Sequence, residues 1–173
     1  MYTFLNESFT LCVQADTHAT ESGLTVSIAK GKNEIILFVK TDNDNARKCL
    51  KMPDDDKQSC DRLILYASKV NSKNELYCFL ELKGNKLDHA VNQIINTHKY
   101  MRTLINKNIE RQQHVFLTLC ACICMHNSVS DIRAQQRHFE RLKSSLGTDK
   151  IHIKHGIQKK YDIGDFLRKS YIS

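Results

Sequence analysis

The sequence predicts a mixed α/β fold built on one central sheet flanked by helices. Three observations carry this expectation. Short apolar and β-branched runs dominate the first half of the chain. After Gly84 the hydrophobic period changes from two to 3.6. The run from Val115 to Cys124 is apolar on both faces, as a strand covered on both sides would be.

The elements follow in order. Phe4 to Val13 is weakly patterned and reads as a short strand or helix. Leu24 to Lys30 alternates, Gly31-Lys32-Asn33 is a turn signal, and Glu34 to Lys40 is apolar and β-rich, so the three predict a hairpin. Thr41 to Ser59 holds the only proline, Pro53, and predicts a long polar connection. Cys60 to Ser68 and Leu76 to Lys83 predict two more strands joined by a polar loop. Leu87, Ala90, Val91, Ile94, Ile95, Met101, Leu104 and Ile105 mark one face of a helix over 87–105. Together with the strand at 115–124 it predicts a βαβ crossover. Ser128 or Ser130 is the expected cap of a helix ending at Gly147. A late strand over 150–155 and a short element over 162–169 complete the chain.

At 173 residues the chain is long enough to bury a core without disulfide or metal staples, and one domain over 1–173 is expected. Its 41% hydrophobic and 26% charged content excludes a disordered chain. The longest uncharged apolar run, Val115 to Met125, is too short to span a bilayer as a helix. Met1 to Thr10 has no basic start followed by an apolar block. A soluble cytoplasmic protein is expected. The seven cysteines are an odd count set mostly in apolar runs, which suits free thiols in a reducing compartment.

Net charge is +7, unevenly spread. Residues 1–98 hold 12 Lys/Arg and 13 Asp/Glu, whereas 99–173 hold 14 and 6, so the basic excess lies in the second half. Such a half suits a polyanion, above all nucleic acid, although a solvated basic surface gives the same count.

The chemistry converges on two strands. Glu81 and Lys83 close the apolar strand and point to the same face. Charges there are costly unless exposed or functional. Asp61 opens the preceding strand. If the two strands pair as a hairpin, Asp61 and Glu81 meet at one edge of the sheet with Lys83 beside them. Neighbouring carboxylates repel unless a cation sits between them, and hard oxygen ligands select Mg²⁺ or Mn²⁺. A lysine beside such an ion can orient a water or stabilise charge on a phosphate. The set suits phosphodiester hydrolysis.

Ser59-Cys60-Asp61-Arg62-Leu63 followed by Phe79-Leu80-Glu81-Leu82-Lys83-Gly84, then a helix and a buried strand, resembles the PD-(D/E)xK nuclease superfamily. That family includes restriction endonucleases and Holliday junction resolvases. The resemblance covers about residues 24–125, with 126–173 as a basic extension. It implies a restriction-endonuclease-like fold, and a metal-dependent endo- or exonuclease acting on nucleic acid, DNA before RNA. It implies Asp61 and Glu81 as metal ligands, the Leu82 carbonyl as a third ligand, Lys83 as the catalytic lysine and Gln93 as a helper on the following helix. An acidic residue from an earlier element would match Glu34, or more weakly Glu21. It also implies a microbial setting such as defence against phage. The helix expected ahead of the sheet is not recognisable in 1–23. A literal Pro53-Asp54 lies in the acidic loop, and Asp61 is preferred for its place on the strand.

Nucleic-acid contacts are expected from Arg47 and Lys48 in the long loop, and from Lys86 and His89 at the start of the helix, with Asp54, Asp55 and Asp56 opposing the loop residues. Arg133, Arg137 and Arg141 form a stripe that is either a contact or the wet side of a helix. Lys150, His152, Lys154, His155, Lys159 and Lys160 read as a basic tail. Cys120, Cys122, Cys124 and His126 alternate along a strand, which cannot surround a tetrahedral ion, and packing explains them better. His98 falls on an apolar helix face and reads as a core residue. A domain this small offers little surface for sequence readout, so a homodimer or larger complex is expected. Two other functions stay open: a non-catalytic module that binds nucleic acid or protein, and an enzyme acting on nucleotides.

Overall fold

A computed structural model describes residues 13–14, 17–56, 58–70, 74–84, 86–109, 116–127 and 131–172. The strands are β1 (Val13–Gln14), β2 (His18–Glu21), β3 (Leu24–Ser27), β4 (Glu34–Lys40), β5 (Arg62–Ser68), β6 (Asn74–Lys83), β7 (Phe116–Met125), β8 (Ile151–Lys154) and β9 (Lys160–Asp162). The helices are α1 (Asp44–Leu50), α2 (Leu87–Ile109), α3 (Ile132–Leu146) and α4 (Gly164–Ile172). Most of the segment Phe4–Val13, both serines considered as caps and Lys57 lie outside the described residues.

Three layers result. A six-stranded mixed sheet in the order β1-β4-β5-β6-β7-β8 forms the middle. One face carries α1, α2 and α3 through Leu50, Ala90, Val91, Ile94 and Leu142, packed on Leu63, Leu65, Phe79, Ala121 and Ile123. The other face carries α4 and a three-stranded sheet, β2-β3-β9. There Ile64, Tyr66, Leu80 and Cys122 meet Leu24, Val26, Ile163 and Leu167. Strict alternation along β5 and β7 thus feeds both cores. A large side chain buried as fully as Phe79 or Leu80 contributes roughly 1.5–3 kcal/mol.

β4 runs antiparallel to β5 and β5 to β6, whereas β6 and β7 run parallel with α2 between them in sequence. This agrees with the expected mixed α/β class and its βαβ unit. Gly147 ends α3 in the left-handed region at φ 68°, where its missing side chain avoids strain. Asp131 is the cap of α3, its Oδ1 accepting from the Ala134 N–H at 3.0 Å.

Two expectations fail. The hairpin from 24 to 40 does not form. β3 pairs with β2 and β9, and β4 pairs with β1 and β5. Leu24, Val26 and Ile28 instead pack face to face against Ile36 and Phe38. Alternation fixes which side of a strand is buried but not which strand lies at its edge. The long connection 41–59 also contains a helix, α1. Asn43 caps it, with Oδ1 accepting from Ala46 N–H at 2.8 Å, and Ala46 and Leu50 fall on its buried face. Seven residues are too few for a helical period to stand out. Of the residues past 126, β8 extends the central sheet and β9 pairs with β3.

Candidate active site

The β5–β6 register puts Arg62 opposite Leu80, and the next step outward puts Asp61 opposite Glu81. The two residues bridge the strand ends reciprocally. The Asp61 backbone N–H donates to Glu81 Oε2 at 2.9 Å, and the Leu82 N–H donates to Asp61 Oδ2 at 2.7 Å. Lys83 Nζ lies 2.6 Å from Glu81 Oε1. Asp61, Glu81 and Lys83 share the face that carries α2, because their parity matches Leu63 and Phe79. Glu81 is fully buried, Asp61 nearly so, and Lys83 half-buried.

Helix α2 fixes the segment that leads into Asp61. Gln93 Nε2 donates to the Ser59 carbonyl at 2.9 Å. One turn later, Thr97 Oγ1 accepts from the Cys60 N–H at 2.8 Å and donates to the Gln93 carbonyl at 2.8 Å. Asn96 Nδ2 reaches both Asp56 oxygens at 2.9 Å, and Tyr100 OH donates to Asp56 Oδ2 at 3.1 Å. From the other side, Thr41 donates its hydroxyl to the Cys60 carbonyl, and Arg62 Nη1 donates to the Asp61 carbonyl at 2.7 Å. The Asp61 backbone is therefore held from several directions.

This environment disfavours ionised carboxylates. Burial and the neighbouring Asp61 charge push Glu81 up to about 8, against the pull of Lys83. Burial pushes Asp61 up to about 6, and the Glu21 charge adds to it, against the Leu82 N–H and Lys83. Burial works against the Lys83 ammonium, but Glu81 outweighs it and, with Asp61 and Asp42, holds the lysine above its usual range. Two carboxylates share one lysine. Close by, Ser59 Oγ and Gln93 Oε1 are buried without a hydrogen-bond partner. Among the described residues no three His, Cys, Asp or Glu side chains gather as a metal cluster. The residues that do gather, Asp61 and Glu81, are carboxylate oxygen donors, and that donor type fits a hard divalent cation held by few protein ligands.

The remaining candidates sort clearly. Glu34 belongs at the other end of β4, opposite Ser68, roughly 20 Å of strand from the Asp61 end. There it accepts from Tyr66 OH at 2.7 Å and Arg168 Nε at 2.7 Å, so it takes no part in the site. Glu21 does lie close enough for its charge to act on Asp61. Leu82 takes part through its main chain. Arg47 is spent on Asp42 and Asp44, both at 2.8 Å, and offers no free guanidinium. Lys48, Lys86 and His89 are exposed, Lys86 just before α2 and His89 on its first turn. Arg133, Arg137 and Arg141 are exposed, and Arg141 Nη2 donates to Asn92 on α2 at 2.8 Å. His98 is buried edge-on to Phe79, with ring centroids 5.6 Å apart. Cys120, Cys122 and Cys124 pack beneath the small sheet and α4.

Sequence reasoning missed Ser59, Arg62 and Thr97. Thr97 had a signal, since it lies four residues after Gln93 on the same helical face. Arg62 is buried with Nε unpartnered, and an arginine beside a strand-opening aspartate gave no warning of that.

Comparison of the chain with protein-family models, with curated proteins and with solved structures finds no match.

Proposed function

We propose that this protein is a Mg²⁺- or Mn²⁺-dependent nuclease that hydrolyses phosphodiester bonds in nucleic acid, with DNA the favoured partner, on a restriction-endonuclease-like core. The observation that carries the reading is the pairing of Asp61 and Glu81 across two strand ends with Lys83 on Glu81. The strand order around it agrees with the resemblance: β4, β5 and β6 antiparallel, then β7 parallel to β6 after α2.

Asp61 and Glu81, with the Leu82 carbonyl, would hold the ion. When bound, the ion supplies positive charge for the phosphate and a more acidic water. The chain's own residues account for the rest. Lys83 supplies an ammonium beside Glu81 and would orient the attacking water or the phosphate oxygens. Water adds to phosphorus, the bond to the leaving oxygen breaks, and that oxygen takes up a proton. Gln93 and Thr97 keep Ser59 and Cys60 in place, so Asp61 stays in register with Glu81. Exposed Lys86 and His89, shortly after Lys83 in the chain, would contact the phosphate backbone.

A second reading has one observation in its favour. Glu81 has no exposed surface, which suits a nuclease-like module that binds nucleic acid or a protein without cutting.

The test is incubation with plasmid, linear duplex and single-stranded DNA and RNA, each with Mg²⁺, Mn²⁺ or EDTA, beside Glu81→Ala and Lys83→Ala. Metal-dependent cutting lost in both folded variants is the expected result. Salt-sensitive binding that both variants keep, with no cutting of any substrate by the unaltered protein, would replace the nuclease by the binding module.

A further inference from the structure

His126 follows β7 directly, and its backbone N–H donates to the Lys83 carbonyl at 3.2 Å. Its ring is half-buried between two loops. Nδ1 lies 2.9 Å from the Ile157 carbonyl oxygen, and Nε2 lies 3.0 Å from the Ser22 carbonyl oxygen. Both neighbours are acceptors only. A neutral imidazole has one N–H and can satisfy one of them, while its bare nitrogen would face the other carbonyl lone pair to lone pair. Only imidazolium donates to both.

The two carbonyls belong to separate parts of the small sheet. Ser22 lies in the β2–β3 turn, with φ 51°, and Gly23 beside it has φ 77°. The Gly23 backbone is so close to the ring that a β-carbon there would stand 3.4 Å from Nε2. Ile157 lies before β9, and its N–H donates to the Met125 carbonyl at 3.1 Å. One ring thus ties the β2–β3 turn and the approach to β9 to the end of a central-sheet strand.

We propose that His126 is a proton-gated staple. As imidazolium it clamps the β2–β3 turn and the segment before β9 against the end of β7. As neutral imidazole it releases one carbonyl and loosens the turn. Glu21, whose charge reaches Asp61, is next to Ser22 and moves with the turn. The staple itself does not depend on the nuclease reading.

Charged groups stand on every neighbouring element. They are Glu21 on β2, Lys83 on β6, Lys154 on β8, and Lys159 and Lys160 at β9. His155, after β8, is the other titratable ring nearby, and burial pushes it down with Lys154 acting in the same sense.

The experiment pairs two readouts on the intact protein between about pH 5 and 8, where imidazoles titrate. Nitrogen NMR of the histidine rings reports whether both His126 nitrogens carry protons. Amide exchange over 19–26, corrected for intrinsic rate, reports the turn. The expected result is doubly protonated His126 at low pH and a roughly tenfold fall in protection as that ring deprotonates, as the loss of one charge-assisted hydrogen bond predicts. His126→Gln should show the lower protection at every pH, and His155→Gln should keep the step. A His126 that stays a single neutral tautomer throughout, protection that ignores its titration, or a step that survives in His126→Gln would overturn the proposal.

Discussion

Replacing Glu81 by Gln should stabilise the metal-free protein. The Glu81 carboxyl is fully buried and titrates at about 8 instead of 4.5. The folded state then holds a proton that the unfolded chain has released, so stability falls as pH rises from 4.5 to 8. Between pH 4.5 and 7 that fall amounts to about 3 kcal/mol. The Gln variant recovers part of it, because Lys83 loses its partner, and a net gain of roughly 1–2 kcal/mol is expected. For a chain of this size that is a rise in Tm of roughly 2–8 °C. The gain should shrink to nothing below pH 4.5, where both forms are neutral. A divalent cation competes for the same charge. Mg²⁺ or Mn²⁺ should raise the Tm of the unaltered protein more at pH 8 than at pH 5, and barely at all in Glu81→Gln. Thermal melts at several pH values, with each metal and with EDTA, measure all of this. A lower Tm for Glu81→Gln at pH 7 to 8, or a metal-induced rise equal in both proteins, would refute the reasoning from buried charge.

Other perturbations probe the supports of the site and the opposite end of the sheet. Lys83→Met removes the cation paired with buried Glu81, so it should cost about 2 kcal/mol or more at pH 8 and little at pH 5, where both carboxyls are protonated; equal loss at both pH values would point to packing instead. Thr97→Val leaves the buried Cys60 N–H without its acceptor and should cost roughly 1–3 kcal/mol in urea titrations, with a fall below 0.5 kcal/mol showing that the clamp is dispensable. At the far end, the hydrogen bond from Arg168, with those from Gly31 and Tyr66, holds Glu34 down at about 2 despite burial. That stabilisation is present above pH 4.5 and is lost as pH falls toward 2, so Arg168→Gln should move acid unfolding to higher pH. Partial exposure of Arg168 limits the effect to roughly 1–2 kcal/mol, and an unchanged acid midpoint would show that the pair contributes nothing.

What the sequence made legible depends on the range of the physics involved. The periods of β5, β6, α2, β7 and α3 were visible because each element buries a face over many residues. The meeting of Asp61 with Glu81 was legible as well, since a hairpin between adjacent strands leaves one simple register. The partner of β3 was not, because its neighbours lie in β2 and in β9, the latter more than a hundred residues away. Glu34 looked like a site residue for a related reason. A carboxylate at a strand end shows its cost but not which end of the sheet it occupies, and the arginine that pairs with it comes from α4. Arg47 looked available because sequence does not show that Asp42 and Asp44 both turn toward it.

The arrangement at the sheet end differs from an ordinary ion pair. A structural pair needs one carboxylate and one ammonium, and apolar residues of similar volume commonly serve at least as well. Here a second carboxylate, Asp61, lies against Glu81, is almost fully enclosed, and adds to the energy of ionising Glu81. Four side chains from α2 hold the loop that presents it. A fold that invests hydrogen bonds in keeping two like charges adjacent gains stability only when something positive arrives, whether a proton at low pH or a metal ion near neutrality. A proton would silence the site and a metal ion would complete it. The pH dependence of metal-induced stabilisation in the unaltered protein, and its loss in Glu81→Gln, therefore bear on function as directly as a cleavage assay, and they need no substrate.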